Sequence, residues 1–257
     1  MCLVVFGFKA HPAFRLVLAA NRDEFHGRPA EPMHWWPDRP DILAGRDLQA
    51  GGTWLGISRS GLLATVTNYR EDLQRQHRGR SRGELVTGFL TPEGTDPLRY
   101  CRDIEPGDFA GFSLLAMEGE TAAYVSNRGD EARELAPGVY GLSNASLDTP
   151  WNKVVRSKAA LLSLLQQNDQ RLADPEPLFH MLRDAEPAPT DDYAGTGLAP
   201  DLARAVSAPF ISTPDYGTRC STVVLVTSSG TVDVFERRFD RFGRLAGESG
   251  FQFETDV

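Results

Sequence analysis

The chain opens Met1-Cys2, and that order of residues can create a reactive group. Methionine before a small side chain is usually trimmed, which would leave Cys2 first. One residue would then carry both a thiol and a free α-amine. The amine titrates at ~7.7–8.0 and a free thiol near ~8.5. The pair is therefore a self-contained nucleophile and base, like a terminal threonine with its own amine. The competing reading is a small apolar residue that opens a buried strand. Four segments elsewhere carry the polar residues such a nucleophile needs: Asn21-Arg22-Asp23-Glu24, Asn68, Asn144, and Tyr216–Thr222. Asp23 can accept a hydrogen bond from the amine. Asn68 and Asn144 can donate to a tetrahedral oxyanion. Arg22 or Arg219 can favour a thiolate or hold a substrate carboxylate. Each also has a plain structural role. Asparagines end strands as turn formers, the arginines make salt bridges, and Asn21 is either a support for the site or a turn residue.

These residues need strands to deliver them. Cys2–Phe8 and Leu16–Ala20 read as a hairpin whose far end presents Asn21–Glu24. The Pro- and Trp-rich stretch Arg28–Pro40 reads as irregular, with Trp35 and Trp36 covering an apolar patch. Gly51-Gly52 marks a turn. Thr53–Ser58 and Leu62–Thr67 form a second hairpin that ends at Asn68. Ser81-Arg82-Gly83-Glu84 is a capping box for a helix to about Leu90, and a short helix is expected over Pro97–Ile104. Strands follow at Phe112–Met117, Thr121–Asn127 and Val139–Ser143, the last ending at Asn144. Thr149 and Pro150 open a helix to Gln167. Its apolar face reads as Trp151, Val154, Val155, the Lys158 stem, Leu161, Leu162 and Leu165. Asp174-Pro175 opens another helix to about Arg183, and Glu186–Pro200 reads as a long ordered loop. Val223–Thr227 and Thr231–Glu236 make a late hairpin, with Phe251–Phe253 as a last edge strand. Hairpins, then helices, then hairpins predict one α+β domain over 1–257, with helices covering sheet faces.

Composition narrows the chemistry. The 257 residues carry a formal charge of −8, with 41% hydrophobic and 24% charged residues, which is ordinary for a globular protein. A nucleic-acid partner would call for a basic footprint. No apolar run reaches the ~20 residues of a membrane span. The N-terminus lacks the basic region and cleavage site of a signal peptide. Three scattered cysteines and five histidines make neither a disulfide framework nor a metal-ligand spacing, so a reducing, cytoplasmic setting is expected. Arg70–Arg82 is a basic cluster containing Arg75, His77 and Arg78. It reads as a solvated loop or as a rim for anionic substrates. His26 and His34 read as turn histidines or as residues facing a haem. Cys101 reads as core, and Cys220 lies near the inferred site.

Taken together, Met1-Cys2, Asn21-Arg22-Asp23-Glu24, Gly51-Gly52-Thr53-Trp54-Leu55-Gly56, Asn68-Tyr69-Arg70, Ser81-Arg82-Gly83, Gly141-Leu142-Ser143-Asn144 and Tyr216-Gly217-Thr218-Arg219 resemble the NRDE family. This is also called the transport and Golgi organisation protein 2 family. That family resembles cysteine-type N-terminal nucleophile (Ntn) hydrolases, the class of penicillin V acylase and bile salt hydrolase. The resemblance implies a four-layer αββα sandwich with mainly antiparallel sheets. It implies Cys2 as nucleophile, Asp23 on its amine, Asn68 and Asn144 at the oxyanion, and Arg219 as the late arginine. Arg22, Asn21, Tyr69 and Arg70 are expected to bind substrate. One position departs: the class carries an arginine three residues before its aspartate, and here that residue is Ala20. Arg22 is the nearest substitute, although strand alternation sets it on the opposite side from Asp23. Two functions follow as expectations. One is hydrolysis of a linear amide or acyl thioester with no required cofactor. The other is non-catalytic trafficking, with haem or a lipid such as an acyl-CoA as cargo.

Overall fold

The computed structural model describes residues 2–70, 79–91, 96–167, 172–189 and 198–255. Among these, six strands form one sheet and seven a second, and every strand pairing is antiparallel. In the first sheet, β1 (Cys2–His11) lies between β10 (Gly138–Leu142) and β2 (Phe14–Phe25). Beyond β2 come β11 (Tyr216–Thr227), β12 (Thr231–Phe239) and β13 (Leu245–Glu254). The second sheet runs in chain order through β3 (Ala30–Trp36), β4 (Arg39–Asp47), β5 (Leu55–Ser58), β6 (Leu63–Asn68), β7 (Phe112–Glu118), β8 (Thr121–Ser126) and β9 (Asp130–Glu134).

Alternation along these strands builds three apolar layers. Val4, Phe6, Leu16 and Leu18 of the first sheet meet Leu43, Ile57 and Leu63 of the second, which joins the sheets face to face. The outer face of the second sheet is covered by α1 (Gly83–Phe89) and α2 (Pro97–Asp103). The outer face of the first is covered by α3 (Asn152–Leu165) and α4 (Glu176–Leu182), on Leu3, Val5, Val17 and Ala19. A short α5 (Pro200–Ala205) follows. The result is the four-layer αββα arrangement expected from the sequence.

Several local expectations are corrected. Ala30–Trp36 is a strand rather than an irregular stretch. Pro32 is tolerated because β3 is the edge of its sheet, where a missing N–H costs no ladder bond. Trp36 is buried and donates its indole N–H to the Ala44 carbonyl. Asn21–Asp23 do not follow the second strand but lie within it, because β11 pairs along β2 as far as Phe25. By the same pairing, Tyr216–Thr222 is strand. The capping box is half formed. The Ser81 N–H donates to the Glu84 carboxylate, while the Ser81 hydroxyl accepts from Gly83.

Helix α3 begins at Asn152 rather than Pro150, and its buried face is turned from the pattern reading. Val154, Leu161 and Leu165 are buried, but Val155 is 52% and Leu162 45% exposed. Lys153 and Ser157 are buried in their place. Part of the Glu186–Pro200 loop, and Arg75, His77 and Arg78 of the basic cluster, lie outside the described residues.

Candidate functional site

Cys2 begins β1 directly opposite Arg22 of β2, and Arg22 is in turn opposite Cys220 of β11. Directly paired residues in an antiparallel sheet point to the same side. Cys2 and Arg22 therefore face the second sheet at the end where the sheets open. A pocket of about 490 Å³ lies there, lined by Cys2, Arg22, Asp23, Trp54 and Asn68 among others.

Each residue is held by a separate local cause. The Cys2 carbonyl accepts from the Ser143 hydroxyl at 2.7 Å, and Thr67 donates to the Ser143 carbonyl at 2.6 Å. This ties the start of β1 to the end of β10 and to β6. Arg22 is nearly buried and stacks on the Trp54 ring with its guanidinium carbon 4.1 Å from the ring centre. Such a cation–π contact is worth about 0.5–2 kcal/mol, more as it is desolvated. Its nearest carboxylate, Asp47, is 3.8 Å away and takes a closer bond from Arg28 at 2.7 Å. Burial works against the Asp47 charge, but the Arg28 bond and the Ala50 and Gln49 N–H groups hold its carboxyl below the usual range.

Asp23 points to the opposite side, as alternation requires. Its Oδ1 accepts from the Thr218 hydroxyl at 2.7 Å, and its carbonyl accepts from the Tyr216 hydroxyl. Burial pushes its carboxyl up to about 6; the N-terminal ammonium, then Lys153, Thr218 and Arg22, work in the other direction. Desolvation also raises the Cys2 thiol. The N-terminal charge opposes that rise, the Asp23 carboxylate adds to it, and the Asp23 backbone N–H and Arg22 oppose it. The pocket thus presents a thiol, a guanidinium and an amide, with a buried carboxyl behind them.

The expected site residues divide into two groups. Cys2, Arg22, Asp23 and Asn68 line one pocket. Asn144 stands behind it, fully buried, donating through Nδ2 to the Asn68 carbonyl at 2.7 Å. Its amide positions Asn68 rather than lining the pocket. Asn21 is set apart: Nδ2 donates to the Leu182 and Pro209 carbonyls, and Oδ1 accepts from Ser221. It clamps β2 to the helical layer, which corrects its assignment to substrate. Arg219 is also set apart. It is the extra residue of a bulge in β11 between Thr218 and Cys220, and bulges re-aim side chains. Its guanidinium donates to the Phe25, His26 and Arg28 carbonyls and holds the turn after β2. Arg70 lies over Trp151 with 4.7 Å to the ring centre, and the Tyr69 N–H donates to Gly111. Neither Tyr69 nor Arg70 lines the pocket. His26 bonds the Thr213 carbonyl and His34 the Pro32 carbonyl.

Sequence reasoning missed Lys153, Ser143 and Thr218. The last two sit inside quoted motifs, so their signal was present but carried no assigned role. Lys153 had only the signal of a lysine inside an apolar helical repeat. The glycine motifs gain a physical reason. A side chain on Gly52 would stand 2.7 Å from the Gly83 backbone, and one on Gly83 would stand 3.0 Å from Thr53 N. Two bare backbones therefore meet where α1 enters the pocket wall.

Comparison with known proteins places these features in context. The profile of a family described as "Transport and Golgi organisation 2" matches residues 1–241. Transport and Golgi organization protein 2 homologs from Bos taurus and Homo sapiens are 40% and 39% identical over 258 residues, covering 92% of each chain. The Drosophila melanogaster protein of that name is 26% identical, covering 92% of this chain and 91% of its own. Among solved structures, a mutant conjugated bile acid hydrolase from Clostridium perfringens aligns with a TM-score of 0.52 at 9% identity, covering 98% of this chain and 92% of its own. A Caenorhabditis elegans N-acylethanolamine-hydrolyzing acid amidase ortholog aligns with a TM-score of 0.50 at 9% identity, covering 87% and 92%. At that identity the likeness is one of fold, and it is the fold the sequence resemblance implied.

Proposed function

The chain belongs to the Transport and Golgi organisation 2 family, and from that premise we propose that it is a cysteine N-terminal nucleophile hydrolase of a linear amide or acyl thioester. One observation carries the reading: Cys2, Arg22, Asp23 and Asn68 come from three strands of two sheets and meet at one pocket. A structural role for Cys2 alone would not require that meeting. The likeness of fold to two hydrolases of amide substrates supports it as analogy.

With Met1 removed, the free α-amine is on Cys2, and Asp23 is the carboxylate assigned to hold it. Sγ attacks the carbonyl carbon as the thiol proton passes to the amine. The oxyanion forms within reach of donors at Asn68, whose own carbonyl Asn144 holds in place. Collapse breaks the C–N or C–S bond, and the amine returns its proton to the leaving nitrogen or sulfur. Water then cleaves the acyl–Cys2 thioester and frees the acid. Removing one oxyanion donor in such a site costs on the order of 10²–10³ in rate.

The test is direct. Intact mass establishes whether Cys2 is first. A panel of N-acyl amides and acyl thioesters is then run against wild type, Cys2→Ala and Asn68→Ala. Turnover should vanish with Cys2→Ala and fall at least a hundredfold with Asn68→Ala. Turnover unaffected by Cys2→Ala would refute the mechanism.

The alanine at position 20, where the hydrolase class carries an arginine, favours a second reading, in which the pocket holds an acyl-bearing or haem cargo in the cytoplasm without cleaving it. Saturable binding of either cargo by a chain inactive on the whole panel would select that reading.

A further inference from the structure

Lys153 is the most deeply buried cation among the described residues that no role above absorbs. It sits at the start of α3 with 2% of its surface exposed. Its one hydrogen bond among the described residues goes to the Val206 carbonyl, at 3.3 Å. A desolvated ammonium with a single neutral acceptor is costly, so its surroundings must supply an opposite charge or a reason to keep it.

The surroundings form a connected layer behind the first sheet. Val206 follows α5 and leads into the segment that reaches Ile211. In that segment the Pro209 carbonyl accepts from Asn21, two residues before Asp23 on the same side of β2. The Ile211 N–H donates to the Thr218 hydroxyl, which donates to Asp23 Oδ1. Lys153 and Asp23 thus belong to one buried polar layer on the helical side of the first sheet, joined through the Val206–Ile211 segment. We propose that Lys153 is a positioning residue: from behind the sheet it fixes the charge of Asp23, and through Asp23 the α-amine of Cys2. The second half rests on the hydrolase reading; the first does not.

The charged and titratable groups around the pair come from every packed element. Arg22 of β2 and Cys2 of β1 act on Asp23 from the sheet, the Thr218 hydroxyl acts from β11, and the N-terminal ammonium adds its charge. Arg70, after β6, faces Lys153 as a like charge, while Asp23 and Cys2 favour its protonated form. Burial pushes the Lys153 ammonium down in pKa, and the Asp23 carboxylate is the largest influence opposing this. Lys153 in turn is the largest side-chain influence favouring the Asp23 carboxylate.

The test follows the ionisation of Asp23 by ¹³C NMR of carboxyl-labelled aspartate from pH 4 to 8, with Asp23→Asn identifying the resonance. In wild type the midpoint should lie near 6. Lys153→Met should raise it by about one unit or more, the scale expected for loss of a nearby opposite charge. Lys153→Arg should restore it. Lys153→Gln keeps a donor for Val206 but no charge, so it serves where the Met variant does not fold, and the same upward shift is expected. A folded Gln or Met variant with an unmoved Asp23 midpoint would overturn the proposal. Turnover is not among these readouts. A chain that shifts as expected but is inactive on every substrate would remove the hydrolase reading and keep the Lys153–Asp23 link.

Discussion

Replacing Asp23 by asparagine should change how stability depends on pH, and the size of the change follows from burial. In the fold the carboxyl is raised from 3.8 to about 6. The folded state therefore holds the Asp23 proton more tightly than the unfolded chain. Linkage then fixes the sign. Where the folded chain binds more protons than the unfolded one, stability falls as pH rises. The Asp23 contribution is fully present below ~4 and is lost as pH rises through about 6. A displacement of roughly two units corresponds to about 3 kcal/mol. Asparagine has nearly the shape of the protonated acid and does not titrate. Wild type and Asp23→Asn should thus be similarly stable near pH 4. By pH 7 the variant should be the more stable by about 3 kcal/mol. Guanidinium denaturation of both proteins at half-unit steps, on preparations with one N-terminus by mass, measures the difference. Subtracting the two curves removes the titrating groups that do not act on Asp23. A flat difference would refute burial as the dominant influence. A difference of opposite slope would show Asp23 to be ion-paired with a depressed pKa.

Two further expectations concern the frame of the site. Gly52→Ala would push a methyl against the Gly83 backbone at 2.7 Å, and should cost about 1–3 kcal/mol by overpacking. Gly107→Ala, where nothing lies within 4 Å, should leave the denaturation midpoint nearly unchanged. On α3, Leu161→Ala should cost about 2–5 kcal/mol because the side chain is fully buried. Val155→Ala, at an exposed position, should stay within about 0.5 kcal/mol; equal losses at both would contradict the observed helix face.

Much of this architecture was legible in the order of residues, because strand alternation and turn chemistry are local. The hairpins starting at Cys2 and Thr53, the helices near Gly83, Pro97 and Glu176, and the late hairpin all follow from period and punctuation. The motif set pointed to the family, and the fold came with it. What local rules misread was decided by neighbours. Pro32 sits in a strand because that strand is an edge. Asn21–Asp23 are mid-strand because β11 extends alongside them.

The candidate site divides along the same line. The sequence by itself marked Cys2, Arg22, Asp23 and Asn68 by residue type and motif. Which of its marked residues meet was a tertiary matter. A bulge takes Arg219 away to the turn after β2, and hydrogen bonds to Leu182 and Pro209 turn Asn21 into the helical layer. The Cys2–Arg22 pairing depends on a register, which one residue of slip would invert. Lys153 could not be read at all. A lysine in an apolar helical repeat reads as surface, and only the packing of α3 onto the sheet shows that it is buried.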